Sequence, residues 1–334
     1  MNKQILLKSR PEGAPGPDNF EMVETPMPEA GAGQVLRRTI WLSVDPYMRG
    51  RMSDAKSYAE PAQLGQPMVG ATVSQVIESN SPRFAAGDFV LGYDGWQTHA
   101  AGDAKLLRAL DPAVAPVSYA LGVLGMPGLT AYVGLLDVGQ PKSGETVVVS
   151  AAAGAVGSIA GQIAKIHGCR VVGTAGSDEK CAYVTGALGF DACINYKTDD
   201  LGAALDAACP NGIDVYVDNV GGAVLEAVLL RINVHARIPL IGLISQYNDA
   251  QPAPGPNLRP VLTNRALLRG IIVSDHAHRT PDFLRDMSDW LRDGKIHYRE
   301  DIVTGLENAV SAFLGLFEGE NLGKRIVKIG DAEV

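Results

Sequence analysis

The chain has 334 residues, of which 29 are basic and 37 acidic, and its formal net charge of −8 repels phosphate backbones, which argues against general nucleic-acid binding. Hydrophobic residues make up 46% of it, enough for a large core, and the length suggests about two domains. No run approaches the roughly 20 apolar residues of a bilayer span, so no membrane partner is expected.

The opening segment, Met1 to Lys8, turns polar too soon for a signal peptide, which makes the cytoplasm the expected compartment. The first 120 or so residues carry short β-like runs broken by Gly and Pro, such as Gln34-Val35-Leu36, Ile40-Trp41-Leu42 and Gly87-Asp88-Phe89-Val90-Leu91. They predict a compact, mainly β unit. From Thr146 to Val273 the pattern becomes apolar run, Gly-rich turn, amphipathic helix, apolar run, the mark of βαβ units on a parallel sheet. Predicted strands are Thr146–Val149, Arg170–Thr174, Ala192–Asn195, Val215–Val217, Arg237–Ile241 and Gly270–Val273. Pro239 is awkward in the fifth, because a central strand cannot spare an amide donor. The Pro-rich piece Gln251 to Pro256 reads as a loop.

Thr280-Pro281 then starts a helix that Gly294 stops, and Leu306, Ala309, Val310, Phe313, Leu314 and Phe317 recur at helical spacing. The last apolar segment, Arg325-Ile326-Val327-Lys328-Ile329, alternates like the N-terminal strands. The chain is therefore expected to divide into a first catalytic segment over residues 1–122, a nucleotide-binding insertion over residues 123–295 and a second catalytic segment over residues 296–334.

After the strand ending Val147-Val148-Val149 comes Ser150-Ala151-Ala152-Ala153-Gly154-Ala155-Val156-Gly157, then a helix with Ile159, Ala160, Ile163 and Ala164 on one face. Against G-x-G-x-x-G, Ala152 replaces the first glycine, while Gly154 allows close approach to a pyrophosphate and Gly157 allows close packing of helix on strand. The helix N-terminus, with Ala155 and Val156, supplies amide donors. The next strand runs Val171-Val172-Gly173-Thr174 into Ala175-Gly176-Ser177, so the acidic residue that would accept from an NAD ribose is replaced by small neutral ones, and Lys180 follows within a turn. That pattern favours NADP(H). Asp178 and Glu179, in the first turn of the next helix, complement its dipole.

Further segments carry a family resemblance: Gly125-Met126-Pro127-Gly128-Leu129-Thr130-Ala131-Tyr132, Ser43-Val44-Asp45-Pro46-Tyr47-Met48-Arg49-Gly50, Asp218-Asn219-Val220-Gly221-Gly222, Gly242-Leu243-Ile244-Ser245-Gln246-Tyr247-Asn248 and Glu318-Gly319-Glu320-Asn321-Leu322-Gly323-Lys324. Together with the glycine turn they resemble, from end to end, the zinc-independent branch of the medium-chain dehydrogenase/reductase superfamily. That branch holds leukotriene dehydrogenase/prostaglandin reductase, plant alkenal double-bond reductases and bacterial curcumin reductase. The resemblance implies an α/β fold: a GroES-like, mainly β catalytic domain with an inserted Rossmann domain, a doubly wound parallel sheet. It also implies NADP(H) at Gly154–Gly157, with Lys180 and Tyr196 at the ribose phosphate, and Ser177, Asn219, Gly242, Ile244, Ser245, Tyr247 and Asn321 along the rest. A homodimer paired through the last strand of the nucleotide domain is implied as well.

The zinc enzymes of the superfamily carry Gly-His-Glu where this chain has Gln66-Pro67-Met68-Val69-Gly70-Ala71. All four cysteines, Cys169, Cys181, Cys193 and Cys209, fall after the first catalytic segment and include no C-x-x-C pair. No metal is expected. Without a Lewis acid, the accessible reaction is conjugate hydride delivery to the β-carbon of an enone or enal, with a hydroxyl donor at the enolate oxygen. Tyr247 is the first choice for that donor and Tyr47 the second. The alternative for Tyr247 is positioning of the cofactor, with the cofactor's own ribose hydroxyl as donor. Asp45 and Arg49 read as a structural ion pair. Two other readings stay open: a zinc-free NADPH quinone reductase, and a cofactor-binding structural or regulatory protein without turnover.

Overall fold

The structure, a computed structural model, describes residues 1–251 and 254–332. It comprises two compact units: Met1–Gly122 with Glu300–Asn321 and Arg325–Val334, and Val123–Arg299 with Leu322–Lys324. The return to the first unit falls at residue 300 rather than 296, because His297 is clamped to the second unit. Gln162 Nε2 donates to the His297 carbonyl at 3.0 Å, and the His297 amide donates to Gln162 Oε1 at 2.7 Å.

The first unit begins with β1 (Asn2–Leu7) and β2 (Phe20–Thr25), an antiparallel pair. Then come β3 (Gln34–Ser43), the short helix α1 (Met48–Arg51), β4 (Thr72–Ser79), β5 (Phe89–Gly92), β6 (His99–Asp103) and β7 (Arg108–Leu110). β3 is the long central strand, antiparallel to both β4 and β6.

The second unit opens with α2 (Met126–Val133) and lays down β8 (Thr146–Val149), α3 (Gly157–Ile166), β9 (Arg170–Ala175), α4 (Asp178–Gly186), β10 (Ala192–Asn195), α5 (Leu201–Ala208), β11 (Ile213–Val217), α6 (Gly222–Leu229), β12 (Ile232–Leu240), α7 (Arg259–Thr263), β13 (Leu267–Gly270) and α8 (Thr280–Arg292). The parallel sheet runs in the order β10-β9-β8-β11-β12-β13, the doubly wound order that places a nucleotide at the carboxyl edge of its first and fourth strands. β8 is buried at every residue, as expected for a valine run covered on both faces.

β9 runs one residue past its expected end, to Ala175, and β11 starts two residues early, at Ile213; two other strands depart further from the expected bounds. β12 starts at Ile232, five residues before Arg237, and absorbs a register shift against β11 with His235 in the left-handed region at φ 64°. Pro239 fits there without breaking the ladder: its carbonyl accepts the Asp218 amide at 3.0 Å, and the Leu240 carbonyl accepts from Ile271 at 3.0 Å. N–H and C=O of one residue point the same way in a strand. The missing donor of Pro239 therefore faces β11, near the end of that strand at Val217, and not β13. The last strand is Leu267–Gly270 rather than Gly270–Val273. Ile271 is buried, and its side chain packs over Gly134, where an added Cβ would sit 3.5 Å from Ile271 Cδ1; Val273 already opens a 3-10 turn. Of the Pro-rich loop, Pro252 and Ala253 lie outside the described residues, and the remainder carries no helix or strand.

The chain returns to the first unit with β14 (Glu300–Thr304), α9 (Ala309–Glu318) and β15 (Lys324–Lys328), completing a sheet of order β14-β15-β3-β4-β5-β7. Its core is aromatic. Trp96 stacks on Phe20 at 5.5 Å, and Phe313 of α9 meets both rings edge-on at 5.8 and 6.3 Å. Next to it lies a buried ion pair: Arg37 on β3 donates Nε to Asp94 Oδ2 at 2.8 Å and Nη2 to Oδ1, while the Thr72 hydroxyl donates to Asp94 Oδ2 at 3.0 Å.

Candidate active site

The glycine turn between β8 and α3 is built by close backbone contacts. Ala151 takes a left-handed conformation, φ 49°, and a Cβ on Gly157 would lie 2.4 Å from the Ala151 carbonyl oxygen. Only glycine lets α3 start this close to the strand. The Ala152 methyl, at the place of the missing first glycine, packs on Gly173 of β9, where a Cβ would approach it to 2.7 Å. Among the described residues, no hydrogen bond inside the chain takes up the amides of Ala155 and Val156. Those donors, at the positive end of a ten-residue helix, suit a pyrophosphate. Gly154 also serves the chain itself. It forms a bridge to Gly323, whose amide donates to Ala153 at 2.9 Å, so the segment directly after Asn321 docks beside the turn.

At the end of β9, Ser177 caps α4 by accepting the Lys180 amide at 3.3 Å. This gives the serine a structural role beside the expected contact with cofactor. Tyr196 follows β10, is 41% exposed, and places its hydroxyl over Gly176, 2.9 Å from where a Cβ would stand. Gly176, Ser177, Lys180 and Tyr196 thus gather at one sheet edge. Asp178, the nearby acid, is bound by Asn195, whose Nδ2 donates to it at 2.7 Å.

At the ends of β8 and β11 sits a buried polar cluster that sequence reasoning missed. Asp218 is fully buried; its Oδ1 accepts from the Tyr216 hydroxyl at 2.8 Å, the Ser150 hydroxyl at 3.2 Å and the Val220 and Gly221 amides at 2.9 Å each. Burial, reinforced by the Asp218 charge, pushes the Tyr216 phenol well above its ordinary range. Asn219 is locked alongside: its amide donates to Ser150 Oγ at 2.9 Å and its Nδ2 to the Ser150 carbonyl at 2.8 Å. The loop after β12 is stitched onto this one. Ser245 donates its hydroxyl to the Val220 carbonyl at 2.6 Å, and Ile244 its amide to the Asn219 carbonyl at 3.4 Å. Glycines are required where they meet, since a Cβ on Gly221, itself at φ 71°, would lie 2.6 Å from Leu243 Cδ2.

Tyr247 folds back over this loop. Its oxygen accepts the Leu243 amide at 3.2 Å, and a Cβ on Gly242 would be 3.2 Å from both that oxygen and the Asn219 carbonyl. Burial raises the Tyr247 pKa and the Asp218 charge adds to it, with the Leu243 amide acting in the opposite direction. The phenol is therefore neutral, with its proton still available to donate.

In the first unit, Tyr47 is the residue before α1, and burial, then Asp45 and Tyr93, drive its pKa upward. The expected Asp45–Arg49 pairing is replaced by other partners. Asp45 accepts the Ser43 hydroxyl, and Arg49 Nη2 donates to the Gly13 carbonyl at 2.7 Å. Asn321 closes the segment of this unit that follows α9. Met68, at the place where zinc enzymes carry their Gly-His-Glu, is buried in the core with Trp96. Among the described residues no group of three or more His, Cys, Asp and Glu side chains could hold a metal ion. None of their helices is long and apolar enough to cross a membrane.

A mainly β unit joined to a doubly wound unit with a glycine turn at its first crossover defines a nucleotide-dependent dehydrogenase or reductase. Residues 3–110 match the family model described as N-terminal domain of oxidoreductase, and residues 155–290 match the one described as zinc-binding dehydrogenase. The chain is 52% identical to the NADPH-dependent curcumin reductase of Escherichia coli (strain K12), over 98% of its length and 97% of the relative's. It is 43% identical to the 2-alkenal reductase (NADP(+)-dependent) of Nicotiana tabacum, again over 98% and 97%. The crystal structure of CurA from Vibrio vulnificus in complex with NADPH superposes with a TM-score of 0.95 at 51% identity, covering 98% of this chain and 99% of that one. The chain belongs to the zinc-independent branch of the medium-chain dehydrogenase/reductase superfamily that includes these curcumin and alkenal reductases.

Proposed function

We propose that this protein is an NADPH-dependent reductase that saturates the C=C bond of α,β-unsaturated ketones or aldehydes. The observation that carries the reading is the Tyr247 hydroxyl, a neutral phenol held by the Leu243 amide beside Asn219 at the carboxyl edge of the sheet. The activities named for the curcumin and alkenal reductases support it. The residues also fit the dinucleotide, since the turn at Gly157 leaves amides uncommitted and Gly176 leaves space that a Cβ would fill.

When bound, the nicotinamide supplies a hydride to the β-carbon of the substrate. Tyr247 holds a proton at Oη and donates a hydrogen bond to the substrate carbonyl oxygen, where negative charge grows as an enolate forms, and a proton from water then adds at the α-carbon to give the saturated product. Asp218 and Ser150 fix Asn219 and the loops around it, so this donor needs no reorganisation during the reaction. The amides of Ala155 and Val156 would hold the pyrophosphate, Lys180 and Tyr196 the ribose phosphate, and Ser177, Gly242, Ile244 and Ser245 would complete this unit's contacts with the cofactor. Tyr47 is the second candidate for the donor hydroxyl.

An NADPH-oxidation screen with an enal, a long-chain enone and a quinone tests the reading, with products identified by mass spectrometry. The saturated carbonyl compound is expected. An allylic alcohol, or turnover with the quinone alone, would overturn it; saturable NADPH binding without oxidation of any of the three would leave a binding protein. The quaternary proposal is a homodimer. β13 is the edge of the six-stranded sheet and exposes Leu267, so a second copy can pair there. Light scattering should give twice the 35.2 kDa chain mass, and a monomeric mass would rule the dimer out.

A further inference from the structure

The sequence offers one lysine, Lys180, to a ribose phosphate. The structure brings a second cation to the same place. A Cβ on Gly176 would lie 3.3 Å from Lys197 Cε, close to its 2.9 Å approach to the Tyr196 hydroxyl. The side chains of Tyr196 and Lys197, both following β10, thus reach the bare backbone at the end of β9, one residue before the Ser177 cap of α4.

We propose that Lys197 binds the ribose 2′-phosphate together with Lys180 and so determines part of the preference for NADPH over NADH. This rests on the cofactor assignment made above. The acids closest in sequence to Lys197 are engaged by neutral donors. Asp199 Oδ2 accepts the Asn195 amide at 3.0 Å, and Asp200 caps α5 by accepting the Ala203 amide at 3.0 Å. Asp178 across the gap is held by Asn195 Nδ2. Among the described residues no ion pair occupies the Lys197 ammonium, which is exposed. Asn195, buried at 6% exposure, is the organiser. Its Nδ2 binds the nearest acid on α4 while its Oδ1 accepts the Lys197 amide at 3.2 Å, fixing the backbone from which the lysine extends. A dianionic phosphate at Gly176 would meet the Tyr196 phenol and the Lys197 side chain, and the uncharged ribose of NADH would meet the same groups without that charge to answer them.

The test compares Lys197→Gln, Lys197→Arg and Lys180→Gln with the wild type, using KM and kcat for NADPH and NADH at saturating enone and the inhibition constants of adenosine 2′-phosphate and adenosine 5′-phosphate. Lys197→Gln should raise KM for NADPH about five-fold, as expected for an exposed charge-assisted contact. Its kcat and its KM for NADH should be unchanged, and inhibition by the 2′-phosphate alone should weaken. Lys197→Arg should keep the preference, and KM for NADPH should rise less steeply with salt in Lys197→Gln than in the wild type. Equal changes for NADPH and NADH, or none for either, would overturn the role of Lys197 while leaving the Lys180 assignment standing. A wild type that uses NADH as well as NADPH would instead remove the phosphate reading itself, and Lys197 with it.

Discussion

Replacing Tyr247 by Phe is expected to lower kcat for enone reduction by about 10²–10³, the usual cost of losing one oxyanion donor, with NADPH binding nearly unchanged. The phenol oxygen accepts the Leu243 amide, a bond that does not use the O–H. Only the donor to the substrate oxygen is lost for chemistry, and one amide acceptor for structure. Fluorescence titration with NADPH separates the two, since a loop that had collapsed would also lose cofactor. A variant with near-wild-type turnover and intact binding would remove Tyr247 from the mechanism and leave the donor to the cofactor's own ribose hydroxyl. The pH profile gives a second readout. Burial raises the Tyr247 pKa above its ordinary value of 10.0, so the phenol stays protonated, and competent, through pH 9. A fall in kcat with a midpoint between pH 7 and 9 must then come from another group, and its persistence in Tyr247→Phe would identify it as such.

The features of this site that could be read in the sequence are those where backbone geometry forces residue choice. Gly157 was legible because a helix starting 2.4 Å from a carbonyl admits no Cβ, and such constraints leave glycine at fixed spacing. β8 was legible because burial on both faces leaves only apolar choices, here a valine run. Lys180 lies within a turn of the Ser177 cap, so local periodicity placed it. Lys197 and Asn195 were not visible, because what gives them a role is the parallel register that sets β10 beside β9, with Asn195 opposite Ala175. No local pattern encodes that pairing. Asp218 hides for a similar reason. In sequence it is a polar residue at a strand end, an ordinary turn former, and only the crossover that sets β11 against β8 brings Ser150 to it. The shift of the last strand has another cause. Ile271-Ile272-Val273 has the composition of a strand, yet Ile271 is apolar because it covers Gly134, and the ladder is made by the more exposed Leu267–Gly270. Hydrophobicity reports burial, and an edge strand need not be the most buried segment in its neighbourhood.

The largest expected effect on stability lies in the first unit. Asp94→Ala should destabilise that unit by about 3–5 kcal/mol, the range for removing one partner of a buried ion pair, seen as a drop in its urea midpoint. Both side chains are only 6% exposed. Removing the carboxylate leaves the Arg37 guanidinium without the two contacts from Nε and Nη2, and strips Thr72 of its acceptor. The guanidinium would keep only the 3.2 Å bond from Nη1 to the Val35 carbonyl, and its charge would remain in a site closed to water. The reason for the loss is therefore an unpaired charge more than a missing attraction, which makes a distinct second expectation. The double variant Arg37→Met, Asp94→Leu, which removes both charges and fills the volume, should recover most of the lost stability even though it restores no polar contact. A double variant no more stable than Asp94→Ala would show instead that the fork between β3 and Asp94 itself holds the sheet. Trp96 follows Asp94 by two residues and stacks on Phe20, and a Trp290→Phe background, which leaves only Trp41 and Trp96 of this unit, lets fluorescence report the unit's transition. Breaking the fork should move that transition to lower urea, while the circular dichroism of the second unit's helices is lost only at higher urea.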